Sequence, residues 1–246
     1  MAGMTEVERY LFDTQGCVVL ENVLSEGEVA RLLAAIPRGA DGRIVPAENK
    51  ATFRGFLDYE MPGFRNLIDH PRLEPVLREM LFSGIDPRPW GKNIYLGDPY
   101  GMVFRRGETG PWFHNGGVPH DPWLRYEVRD GKIFCGLTCV VWALTDVGPN
   151  DGGFWYIPGS HKANFPLPRE IETYVNVPSI AVQPVMKAGS ALIFTEALTH
   201  GTKNWAADHE RIALFFKFLP GYMPLREPQP DTVLQKMTPA QRAYFI

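Results

Sequence analysis

The sequence predicts a mainly β fold, an antiparallel sandwich or jelly roll with α-helices packed on its outside. From about residue 93, short apolar segments follow one another at 93–97, 100–106, 132–146, 153–157, 180–186, 190–196 and 210–219, separated by Gly, Pro, Asn and Asp. Before that point the apolar residues recur at helical spacing instead. With 246 residues and 45% hydrophobic content, the chain can bury one full core, and single β domains reach this length. One domain over 1–246 is therefore expected: a helix-rich part to about residue 90, a β core over about 91–220, and a tail over 221–246.

Taken in order, residues 5–20 open with a polar helical turn and continue as the short strand Gly16-Cys-Val-Val-Leu20. Ser25-Glu-Gly-Glu28 has the spacing of a capping box, with Val29, Leu32, Leu33 and Ile36 behind it at helical positions. Residues 37–52 lack apolar periodicity and predict a loop. A second helix is expected from Asp69 to Leu81, with Pro75 early in it. Thr238-Pro-Ala-Gln-Arg is a capped helix start near the C-terminus. The longest irregular segment of the β half, 107–131, carries Trp112, Phe113, His114, His120, Asp121 and Trp123. A loop of that length inside a compact domain is usually a functional one. The Pro-rich segment 161–179 is placed to close the same mouth.

Composition narrows the function classes. The net charge is −3 and the pI about 6.1, with no basic block, which argues against nucleic acid. No run approaches the roughly 20 apolar residues that span a bilayer, and the N-terminus has no apolar signal region. Cys17, Cys135 and Cys139 are odd in number and suit a reducing cytoplasm, with Cys135 and Cys139 placed in the core. A cytoplasmic protein acting on a small molecule, without nucleic-acid or membrane partners, is expected.

The chemistry concentrates in Thr195-Glu-Ala-Leu-Thr-His200-Gly-Thr202, which follows the apolar run 191–194, and in Arg211, which opens the next apolar strand. Phe113-His114-Asn115-Gly116-Gly117 supplies a second histidine. Two histidines on separate β elements, with an arginine after the second, suit a mononuclear iron site open to a chelating oxoacid. Imidazole binds Fe(II), and a triad of two histidines and one carboxylate leaves three positions open. Arg211 would fork onto the far carboxylate of the oxoacid, and Thr202, on the same strand face as His200, would add a hydroxyl. On spacing alone, a pair of histidines is more often structural or superficial.

Three longer stretches carry a resemblance. They are 16–28, Asn150-Asp-Gly-Gly-Phe-Trp-Tyr-Ile-Pro-Gly-Ser-His-Lys162, and Leu198-Thr-His-Gly-Thr202 with Arg211. Together they resemble the phytanoyl-CoA dioxygenase family of Fe(II)/2-oxoglutarate oxygenases over most of the chain. The resemblance implies a double-stranded β-helix (a cupin-like jelly roll), and Fe(II), 2-oxoglutarate and O2 as cofactors. It also implies His114 and His200 as metal ligands, Arg211 and Thr202 at the cosubstrate, and Met102 lining its pocket.

One departure stands out. The family's proximal motif is His-x-Asp or His-x-Glu, whereas here Gly116 occupies the carboxylate position. The glycine leaves a coordination position free for chloride or bromide, as in the related halogenases, and the expectation leans that way. Alternatively, a carboxylate from elsewhere, with Asp121 the nearest candidate, or a water completes the shell and the product is hydroxylated. A third reading is a degenerate, non-catalytic jelly-roll partner protein. Gly116-Gly117 also has a purely backbone explanation, a tight turn. Asn115, His120, Asp121, Trp112, Phe113 and Trp123 are candidates to touch substrate or support the ligands. His161 is expected to be a structural turn residue and Trp142 to be core.

Overall fold

Helix-capping chemistry fixes the N-terminal part of the chain in the computed structural model, which describes residues 3–40, 42, 44, 52–82, 94–116, 121–223 and 229–245. Helix α1, Glu6–Gln15, starts at Thr5 and α2, Glu26–Ala35, starts at Ser25. In each, the cap hydroxyl accepts from the backbone of the third helical residue, whose glutamate carboxylate accepts from the cap N–H. Between them lies strand β1, Cys17–Leu20, and β2, Thr52–Phe53, comes later. Helix α3 covers Glu74–Phe82, so it begins later than the expected Asp69. Pro75 explains the difference: a proline is tolerated in a first turn and disruptive beyond it, so the regular helix can begin only just before it.

The β half follows as β3 (Ile94–Leu96), β4 (Tyr100–Phe104), β5 (Tyr126–Arg129), β6 (Lys132–Cys135), β7 (Thr138–Ala143) and β8 (Gly153–Tyr156). Helix α4 (Arg169–Glu172) precedes β9 (Ala191–Thr195), β10 (His200–Lys203) and β11 (Arg211–Pro220), and short helices α5 (Asp231–Leu234) and α6 (Pro239–Arg242) complete the order. Seven strands form one antiparallel sheet in the order β1-β9-β7-β11-β4-β2, with β3 beside β11. The pair β8–β10 packs on one face of it, and β5–β6 is a separate hairpin. This is the jelly roll that the strand spacing predicts.

Period-two alternation divides the large sheet. Val18, Val140, Trp142, Ile193, Leu214 and Phe216 face the helices, packed with Phe12, Leu32 and Leu77. Cys17, Cys139, Val141, Leu192, Phe194, Ala213 and Phe215 face inward toward Phe154 and Tyr156 of the small sheet. Trp142 is thus a core residue of the helix side, its ring against His70. Burial pushes the thiols of Cys17 and Cys135 up to about 12, so both stay protonated and inert.

Some boundaries depart from expectation. The segment 132–146 is two strands rather than one, parted at Gly136-Leu137. Residues 180–186 form no strand and contribute only bridges, Val182 to Tyr156 and Met186 to Val147. Within the expected loop 107–131 lies β5, joined to β6 by Asp130-Gly131, both with positive φ. An Asp-Gly pair is the usual two-residue hairpin connection. Among the described residues no helix is long and apolar enough to cross a membrane.

Replacing Ser25 by alanine removes the α2 capping box and should cost about 1 kcal/mol of stability. Denaturant unfolding of the variant beside wild type, at unchanged m-value, measures that loss.

Candidate active site

Both histidines are fixed by backbone before any side chain is considered. His114 and His200 exchange backbone hydrogen bonds, N–H of each to the carbonyl of the other, at 3.0 and 3.2 Å. Their rings consequently lie 4.3 Å apart. The Nδ1 of His114 is 2.8 Å from the Trp112 carbonyl, and that of His200 is 2.8 Å from the Leu198 carbonyl. A carbonyl only accepts, so both Nδ1 atoms carry the proton and both Nε2 lone pairs are available to a metal. Burial drives the His200 pKa down to about 4, against the pull of Glu196, which keeps this ring neutral.

The third acid-base group is Glu196. Alternation on β9 places Leu192 and Phe194 on the inner face, and Glu196 continues that series with its N–H on the Leu137 carbonyl. The residue is only 3% exposed. Among the described residues, His114, Glu196 and His200 form the group able to hold a metal ion, their ligand atoms all within 4.8 Å of one another. Asn115 Nδ2 donates to Glu196 Oε2 at 3.0 Å, and Lys217 Nζ lies 2.9 Å from Oε1 as an ion pair, off the line of a good hydrogen bond. Burial alone would raise the Glu196 pKa; His200 and Lys217 outweigh it and hold it below the usual value. With His200 neutral, Lys217 is the standing cation beside the carboxylate. Burial likewise opposes the charge on Lys217, and Glu196 reverses that and raises its pKa.

Strand β11 brings the cationic wall. Arg211 and Lys217 share its inner face with Ala213 and Phe215, and all but Ala213 line one cavity with Met102, His114, Phe154, Glu196, His200 and Thr202. Arg211 is 3% exposed, its guanidinium lies over the Phe104 ring, and its Nε has no protein partner. Burial lowers its pKa to about 10, so it stays charged. A buried cation with an unpartnered N–H, lining a cavity together with two imidazoles, fits a carboxylate-bearing metal chelator. Gly153 makes room for it, since a Cβ there would lie 2.7 Å from Arg211 Nε.

Two segments pack beside the cavity residues Pro111 and Thr202, although neither Tyr174 nor the buried Phe113 lines the cavity itself. Tyr174, from the Pro-rich 161–179 stretch, places its hydroxyl 3.0 Å from the Thr202 N–H and 3.2 Å from the Pro111 carbonyl. Its ring meets Phe113 edge-on, and Phe113 in turn packs on Trp155.

The predicted residues therefore separate. His114, His200, Arg211, Thr202 and Met102 line one cavity. Asn115 supports Glu196. Asp121 does not reach the histidines; its carboxylate accepts from the Trp123 N–H and caps a 3-10 turn. Trp123 packs beside Tyr95, Leu219 and Met223, Trp112 is 53% exposed, and neither lines the cavity. His120 lies outside the described residues. His161 bonds the Asp13 carbonyl at 3.0 Å, as a structural turn residue would. Glu196 and Lys217 are additions; the signal for both is a charged residue continuing the inward series of an apolar strand.

Gly116 needs a different account from the one its sequence position suggests. Asn115 and Gly116 both have positive φ, 61° and 78°, so the chain turns sharply after His114. A Cβ at 116 would lie 2.0 Å from Thr199 Oγ1. Glycine is therefore required by the backbone and by the packing against Thr199.

The chain is similar in sequence and in fold to several known proteins. An "Ectoine dioxygenase" of Nocardia farcinica is 25% identical over 237 residues, covering 84% of this chain and 75% of its own length. A second, from Bordetella bronchiseptica, is 29% identical over 161 residues, covering 61% of this chain and 47% of its own. HygX of Streptomyces hygroscopicus, solved with iron, shares the fold at a TM-score of 0.74 and 24% identity, over 92% of this chain and 91% of that one. HygX solved with nickel and 2-oxoglutarate superposes equally well, at 23% identity. The family model for phytanoyl-CoA dioxygenase (PhyH) matches residues 12–213. With that match spanning most of its length, the chain belongs to the PhyH family of iron(II)- and 2-oxoglutarate-dependent oxygenases.

Proposed function

We propose that this oxygenase hydroxylates an aliphatic carbon of a small molecule. One observation carries the reading: two imidazoles with free Nε2 atoms open onto the same cavity as a buried arginine whose Nε is unpartnered. His114 and His200 would hold the iron, and Arg211 and Thr202 the distal carboxylate of 2-oxoglutarate. Iron and 2-oxoglutarate, once bound, would activate O2, one of whose oxygen atoms would enter the substrate C–H bond and the other the oxoacid, released as succinate and carbon dioxide.

The remaining work belongs to the chain. Phe154 and Phe194 flank His200 and keep the metal side of the cavity apolar. Met102 and Phe215 line the way toward Arg211, which limits water around the bound oxoacid. The cavity measures about 170 Å³, below the ~300–1,000 Å³ of pockets that enclose a drug-sized ligand. That space suits the cosubstrate. A small-molecule substrate is in keeping with the relatives named for ectoine and with the neighbour solved with hygromycin B.

Hydroxylation is favoured over halogenation because the lean to halogenation rested on Gly116 alone. Its positive φ and the closeness of Thr199 explain that glycine without any halide. In chloride buffer the product should gain oxygen and no chlorine; mass spectrometry of a chlorinated product would restore the halogenase reading. Gly116→Asp should lose at least ~1 kcal/mol of stability, the least that a side chain forced into the left-handed region costs. Thermal melting beside wild type tests this, and a variant of undiminished stability would contradict the backbone account.

Arg211→Ala should weaken 2-oxoglutarate binding by about 10–100-fold, the equivalent of ~1.5–3 kcal/mol for hydrogen bonds to a charged group. Anaerobic titration of the Fe(II)/2-oxoglutarate charge-transfer band measures it. Equal affinity in wild type and variant would remove Arg211 from the cosubstrate site, and no band in wild type would remove the oxygenase reading itself.

A further inference from the structure

We propose that Glu196 supplies the iron-binding carboxylate that position 116 lacks, making the metal-binding set His114, Glu196 and His200. The inference rests on the oxygenase reading above and concerns only which carboxylate completes it.

The geometry at Glu196 is that of a ligand awaiting a cation. One of its oxygens and a nitrogen of each imidazole lie within 4.8 Å of one another, and Oε2 is 3.8 Å from His200 Nε2. Each carboxylate oxygen has a further partner, Asn115 on Oε2 and Lys217 on Oε1. Ligating carboxylates are commonly oriented in this way by outer partners.

The motif change and the carboxylate are also connected. A His-x-Asp motif in an extended strand points residues 114 and 116 to the same side. Here the positive φ of Asn115 and Gly116 bends the chain, and Thr199 Oγ1 donates to the Asn115 carbonyl at 3.1 Å, which fixes the bend. Position 116 is thereby turned toward Thr199, while the side chain of Asn115 is brought onto Glu196. The loop after His114 has exchanged a carboxylate of its own for an amide that holds a carboxylate from β9.

The competing account makes Glu196 simply the ion-pair partner of Lys217. That account leaves unexplained why the carboxylate converges on two imidazoles with free Nε2 atoms, when Lys217 is the more exposed member of the pair. A triad completed from β9 also leaves three positions for oxoacid and oxygen, as iron oxygenase chemistry requires.

Anaerobic titration of metal-free protein with Co(II), followed by calorimetry and by the d–d absorption of the bound ion, separates the two accounts without turnover. Glu196→Gln should weaken cobalt binding by more than the ~10–100-fold that loss of an outer partner costs, and should alter the d–d spectrum. Because Glu196→Gln strands Lys217, the double variant Glu196→Gln/Lys217→Met is measured as well; removing both charges preserves folding. It should show the same loss, whereas Asp121→Asn should bind cobalt as wild type does. Unchanged affinity and spectrum in the double variant, with binding abolished in His200→Ala, would overturn the assignment and leave the oxygenase reading standing. Failure of wild type to take up cobalt would overturn both.

Discussion

A carboxylate, two imidazoles and two cations share one slot between the sheets, and the rest of the structure is arranged so that this slot can exist. Burying charge without partners costs several kcal/mol per group, so each must be answered locally. Lys217 answers Glu196, and the Phe104 ring faces Arg211. The Trp112 and Leu198 carbonyls answer the Nδ1 protons of the histidines. Among the described residues, the Nε2 atoms and the Arg211 Nε are without a protein hydrogen bond, and the three residues line the same cavity.

Strand alternation is what brings these groups together. Arg211 and Lys217 are six residues apart on β11, an even number, so one face receives both. Phe194 and Glu196 obey the same rule on β9 and its continuation. A one-residue register slip would drive these charges into the helix-side core beside Trp142 and Ile193, which is why register here is fixed strongly.

Much of this could be read from the sequence, and the failures have physical causes. The capping boxes at Ser25 and Thr238 are local chemistry, and local chemistry is complete in the chain itself. Strand spacing located β4, β8, β9 and β11 for the same reason. His114, His200 and Arg211 were found because each sits next to an apolar run or in a recognisable motif. The proposed ligand Glu196 is not legible as one although it lies between Thr195 and His200, because the family motif places its carboxylate just after the first histidine, and Asp121 is the acid that follows His114. Sequence proximity favoured Asp121, but its carboxylate is used by a turn. Sheet pairing, which no single segment encodes, favoured the residue 80 positions away from Gly116. Gly116 is ambiguous in the sequence because a missing side chain carries two meanings, an absent ligand and a required backbone angle, and the dihedral angles show the second.

The reciprocal backbone bonds between His114 and His200 have a consequence for how the centre is assembled. Many metal sites are created by the ion, which must then supply the free energy of ordering its own ligands. In this chain the two imidazoles are paired through main-chain hydrogen bonds and their rings are already set by carbonyls. Their ordering is a product of sheet folding, completed when the 107–116 segment meets β10. A bound ion would then meet imidazoles already set by the main chain and would add stability through mass action.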